Sequence, residues 1–153
     1  MIQLTEGIYL EDAKQTLKWG CSRDQAWLTG KPTRARSDDD LGLHWKATIL
    51  AGQECIISAY LPGDARLEQV MIVAQGKPEV YLGACQLMHY CKFFEHLLGQ
   101  IGAPQMRSGR GSFLAPILTW KHDSCLLELV TGFGMSDATI LWITRGDNPR
   151  FPD

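Results

Sequence analysis

The chain predicts an α+β fold, an antiparallel sheet with two helices packed on one face, in the order α-β-β-β-α-β-β-β. Three observations carry this expectation. The length of 153 residues suits one domain spanning 1–153, large enough to bury a core. One long apolar stripe at helical spacing runs from Ala84 to Ile101. Two trios of aliphatic runs are each joined by turns of a few residues, which forces neighbouring strands to be antiparallel.

The first predicted helix covers Glu11 to Trp19. Acidic residues open it, Gly20 stands where a helix-ending glycine belongs, and Ala13 and Leu17 mark its inner side. Three predicted strands follow, 41–50, 54–61 and 67–74. The second helix carries Ala84, Leu87, Met88, Cys91, Phe94, Leu98 and Ile101 as its stripe, with Tyr90, Phe93 and Leu97 widening it, and Gly102 and Pro104 stop it. Predicted strands 113–120, 124–131 and 137–144 complete the order. Between helix and sheet lie two long loops, 20–40 and 103–112, of the kind that is either functional or unstructured.

The halves echo one another. CIISAYLPGDARLEQVMIVA (55–74) and CLLELVTGFGMSDATILWIT (125–144) each open on Cys and two aliphatics and reach a second aliphatic run fifteen residues later. A Trp-Lys pair precedes each, Trp45-Lys46 and Trp120-Lys121. The pattern describes an internal repeat with units 8–75 and 80–145.

Composition removes several functions. A formal charge of −2 offers no basic footprint for nucleic acid. No run approaches the roughly 20 apolar residues of a membrane span. The opening MIQLTEGIYLEDAK lacks a basic stretch followed by an apolar one, so the expectation is a cytoplasmic protein. Cysteines 21, 55, 85, 91 and 125 form no CxxC pair and read as reduced, mostly buried thiols.

Catalytic chemistry finds little support. No GxSxG, HExxH or GxGxxG motif occurs. Cys85, His89 and His96 share one side of the second helix, yet Lys92 stands among them and no second ligand pair exists, so no metal site is expected. Cys91, Cys55 and Cys125 sit in apolar settings, and Cys21 follows a predicted helix end of the wrong polarity to favour a thiolate. The run Arg107-Ser108-Gly109-Arg110-Gly111-Ser112 lacks the order of a phosphate cradle and leads into a strand. No cofactor is expected.

Binding is better supported. Trp27 lies in the polar 20–40 segment with no apolar rhythm around it, and mixed charge follows at Arg34, Arg36, Asp38, Asp39 and Asp40. An exposed Trp among such charges has the composition of a protein–protein anchor, with Arg107 and Arg110 adding charge from the second loop. The arrangement resembles small bacterial immunity proteins of antibacterial toxin systems. The likeness rests on Trp19-Gly20 before an antiparallel sheet, a helix ending LLGQIGAP (97–104), and the hairpin TWKHDSCLLEL (119–129). It implies a stoichiometric inhibitor that occludes a cognate toxin's active site. The alternative is a homodimeric type III secretion chaperone, from which the 20–40 segment and the tail GDNPRFPD depart. A small cytosolic enzyme is the third reading.

Overall fold

The computed structural model describes residues 2–34, 42–74, 82–107, 116–131 and 139–149. Its elements are β1 (Gly7–Leu10), β2 (Gln15–Lys18), α1 (Arg23–Trp27), β3 (Thr33–Arg34), β4 (Gly42–Ile49), β5 (Gln53–Tyr60), β6 (Gln69–Ala74), α2 (Leu82–Ile101), β7 (Gln105–Arg107), β8 (Ile117–His122), β9 (Cys125–Thr131) and β10 (Thr139–Arg145). The α+β class and the antiparallel sheet stand, but the expected element order does not. Strands are more numerous, and the chain opens on a hairpin rather than a helix.

Residues 11–19 show why. Beyond its end signals, the expected helix has only Ala13 and Leu17 as its inner side, whereas Ile8, Leu10 and Leu17 are buried in the alternating manner of a hairpin. The acids at 11 and 12 serve a turn instead of a helix start. Glu11 N–H donates to the Thr48 carbonyl at 2.9 Å, and Asp12 Oδ2 accepts from Thr48 N–H at 2.5 Å, so the turn covers the edge of β4 beyond the short β3. At Gly7, with φ of 154°, a Cβ would stand 2.1 Å from the Leu17 carbonyl oxygen, so the β1–β2 pairing requires glycine there.

The expected loops also hold structure. Segment 20–40 contains α1, closed by a capping box in which Ser22 Oγ accepts from Gln25 N–H and Gln25 Oε1 accepts from Ser22 N–H. It also contains β3. Segment 103–112 contains β7. Elements of two to five residues leave no periodicity in the sequence, so only the length of these segments shows there.

β3 to β10 form one eight-stranded antiparallel sheet in the order β3-β4-β5-β6-β10-β9-β8-β7. Its inner face presents Leu43, Trp45, Ile57, Ile72, Leu127, Leu129 and Leu141 to one core, shared with Ile8 and Leu17 of the hairpin, Ala26 of α1 and Phe93 and Leu97 of α2. Both helices therefore lie on one face, although α1 is not the helix expected over 11–19 but lies in the segment expected to be a loop. On α2 the buried side is Tyr90, Phe93 and Leu97, while Met88, Cys91 and Leu98 are exposed. The helix is apolar over a wide arc, and the predicted centre of its stripe was about one residue's rotation from the side that packs. The side chains of Ala84, Cys85 and Leu87 lie outside the described set.

The sheet has two halves, β3–β6 and β7–β10, joined by the antiparallel β6–β10 seam. Trp45 lies opposite Ile57 and Ala47 opposite Cys55; Trp120 lies opposite Leu127 and His122 opposite Cys125. Ile57 then faces Ile72, and Leu127 faces Ile143. Met71 and Trp142 are thus equivalent positions, and they are also cross-strand partners, so a local two-fold axis passes between them. The indole N–H groups complete the match. Trp45 Nε1 donates to Thr29 O just after α1, at 2.7 Å, and Trp120 Nε1 to Gly102 O just after α2, at 2.8 Å.

Candidate functional site

The expected partner-binding residues are split by the structure. Trp27 ends α1, whose two termini are both fixed. The capping box holds the first turn, and the Trp45 bond to Thr29 holds the chain after the last. Ala26 is fully buried beneath the helix, which leaves Trp27 39% and Leu28 79% exposed side by side. Arg34 lies in β3 on the same connection. Arg36, Asp38, Asp39, Asp40 and Arg110 lie outside the described residues. Arg107 is mostly buried on the outer face of the sheet: its guanidinium stands 3.7 Å from Glu128 Oε1, with its side chain 12% exposed and that of Glu128 0% exposed. Its charge balances a buried carboxylate, a role invisible from the Gly/Arg-rich stretch around it.

The thiols follow their surroundings. Burial, with Asp12 and Glu11 nearby, pushes the Cys55 thiol up to about 12; burial, with Asp123 nearby, pushes Cys125 up to about 11. Both are poor nucleophiles at neutral pH, as expected of core residues. Cys21 is also raised, chiefly by burial, and it precedes the N-cap of α1 rather than following a helix. Cys91 was expected in the core stripe but is exposed, because α2 packs through its neighbouring side.

On α2, Cys85 lies among the side chains outside the described set. His96 Nε2 bonds the Leu50 carbonyl, and His89 is held below its usual range by burial first and Lys92 second. Among the described residues no three His, Cys, Asp or Glu side chains gather as a metal site. No described helix is long and apolar enough to cross a membrane.

A second feature went unseen in the sequence. On the outer face, register aligns Thr33, His44, Ser58, Met71, Trp142, Glu128, Thr119 and Gln105 in one row across all eight strands. The two-fold relates His44 to Thr119 and Ser58 to Glu128. In the second half Thr119 and Glu128 are buried beside the apolar cluster Ile117, Val130 and Ile140. In the first half the row is open. His44 Nδ1 and Ser58 Oγ share a hydrogen bond of 2.8 Å, Met71 and Trp142 continue the floor, and Tyr60 stands 65% exposed at the side. Together they line a cleft of about 460 Å³, rimmed by Arg66 and Glu68, within the usual range for ligand sites.

The His44–Ser58 pair looks superficially like a base and its nucleophile. Acyl transfer also needs N–H donors aimed at the developing oxyanion. Ser58 lies inside β5, paired on both sides by β4 and β6, so the backbone groups around it are committed to the sheet. The pair is suited to hydrogen-bonding a ligand.

No family model and no curated protein matches the chain. Among solved structures it is similar to a DUF4309 family protein (YjgB) from Bacillus subtilis subsp. subtilis str. 168, at 11% identity and a TM-score of 0.43, over 88% of this chain and 83% of that one. So distant a likeness carries no functional argument.

Proposed function

We propose that this chain is a binding protein that neutralises a cognate antibacterial toxin by covering its active site, with the tip of α1 as its anchor. The observation that carries this reading is the outward pair Trp27 and Leu28 on a short helix fixed at both ends. A rigid aromatic anchor loses little conformational entropy on docking, which is how a small number of residues dominate an interface. Arg34 follows on the same connection, and Arg36 and Asp38 to Asp40 come next in sequence; mixed charges of this kind steer association and fix orientation. The mechanism is occlusion, with no covalent step and no cofactor.

Co-expression with the product of the adjacent gene, as candidate toxin, tests the reading. Wild-type protein rescues growth and co-purifies with the toxin, and Trp27→Ala with Leu28→Ala loses both while remaining folded. A wild-type protein that neither rescues nor co-purifies sinks the proposal.

The secretion-chaperone reading keeps one supporting observation. Met88, Cys91 and Leu98 stand exposed along one side of α2, an apolar strip that a second copy would cover. A tight homodimer by light scattering, together with co-purification of a secretion effector, favours that alternative.

A further inference from the structure

We infer that the open half of the transverse row is a binding site for a neutral hydroxylated ring, a carbohydrate, on the face of the sheet opposite α1. Three features of the cleft point to that chemistry. Its rim carries charge of both signs, Arg66 and Glu68, with the Glu68 carboxylate 3.5 Å from Arg145, so no single sign of charge dominates the opening. Its floor includes the adjacent Met71 and Trp142, and the exposed Tyr60 lines it too. Its central polar groups, the His44 imidazole and the Ser58 hydroxyl, are already joined at 2.8 Å, so each is oriented before a ligand arrives. A sugar ring matches this set, with C–H faces to lie on the aromatic surfaces and hydroxyls able both to donate and to accept.

The two-fold adds an internal comparison. The equivalent positions in the second half, Thr119 and Glu128, are buried within the molecule, whereas His44 and Ser58 open into a cleft. The same register position therefore has a structural use in one half and an accessible one in the other. This site is independent of the toxin-binding reading, since α1 packs on the inner face.

The test is an NMR titration of the isotope-labelled full chain with free maltotetraose, cellotetraose and tetra-N-acetylchitotetraose, each to about 10 mM, a range that reveals weak binding. At least one sugar is expected to give saturable shifts at the Ser58 amide and the Trp142 indole. Tyr60→Ala and His44→Ala are each expected to weaken that binding by about tenfold or more, with the remaining spectrum unchanged. Tyr60 is exposed, so its variant keeps the test open if His44→Ala fails to fold. Three outcomes overturn the inference: no sugar moves these signals, Tyr60→Ala binds like wild type, or N-acetyl-tyrosinamide moves them while the sugars do not, which would assign the cleft to a peptide side chain.

Discussion

Trp45 donates its indole N–H to the carbonyl oxygen of Thr29 at 2.7 Å, and this bond fastens the end of α1 to the inner face of the sheet. Trp45→Phe keeps most of the buried ring and removes the donor. The expected loss is about 1–2 kcal/mol in the denaturant midpoint, from an unsatisfied carbonyl and some lost packing. Because the bond also holds Trp27 in place, affinity for the partner falls in the same variant. Trp120→Phe breaks the equivalent bond to Gly102 and costs similar stability, but leaves partner affinity unchanged.

Leu28→Ala changes stability by no more than about 0.5 kcal/mol, since the side chain is largely in solvent. Trp27→Ala costs more, on the order of 1–2 kcal/mol, because Trp27 is only 39% exposed. Calorimetric titration against the toxin domain is expected to show each losing about 2 kcal/mol or more of binding, the size typical of an interface anchor. Two variants that bind like wild type would move the docking surface away from α1.

Thiol chemistry provides a pH prediction. Cys55 has an ordinary pKa of 9.0 when unfolded and about 12 when folded. Below 9.0 both states hold the proton, and this contribution to stability is fully present. Above it the unfolded chain ionises first, so stability is lost progressively as pH rises toward the folded value. Cys125 acts the same way up to about 11. Denaturant titrations at alkaline pH should therefore show a shallower decline for Cys55→Ala than for wild type, whatever its lower starting stability. At neutral pH a thiol reagent labels Cys91 at once and reaches Cys55 and Cys125 only on unfolding; Cys91→Ser removes one fast-reacting group.

The buried pair Arg107 and Glu128 sets a further expectation. Arg107→Ala leaves the Glu128 carboxylate, 0% exposed, without this cation, and the cost is about 3 kcal/mol in a chemical denaturation curve. Arg107→Met combined with Glu128→Leu recovers most of that loss. Recovery in the double variant identifies the pairing, rather than side-chain volume, as the cause.

What was legible in the sequence followed from local pattern. Strands β4, β5, β6, β8, β9 and β10 were found because alternation and short turns define antiparallel neighbours without knowledge of distant residues. The hairpin at 7–18 was read as a helix because Glu11 and Asp12 suit a helix start as well as they suit a turn, and Ala13 and Leu17 fit either period. Trp27 could be picked out as an exposed aromatic from its polar surroundings. His44, Ser58, Met71 and Trp142 could not be grouped, since only the pairing of four strands remote in sequence places them side by side.

The β6–β10 seam bears on how the molecule is assembled in time. Its partners, such as Val73 and Ile140, lie about 70 residues apart, and closing a loop of that length costs on the order of 1–2 kcal/mol more than closing one of a dozen residues. Each half can instead collapse early as a local meander, leaving the seam to zip last. Until it does, Gln69–Ala74 is a bare aliphatic edge, and a ribosome that has released only the first half holds out a strand with no mate. The hazard of this architecture lies in synthesis: two nascent chains can pair edge to edge before either meets its own β10.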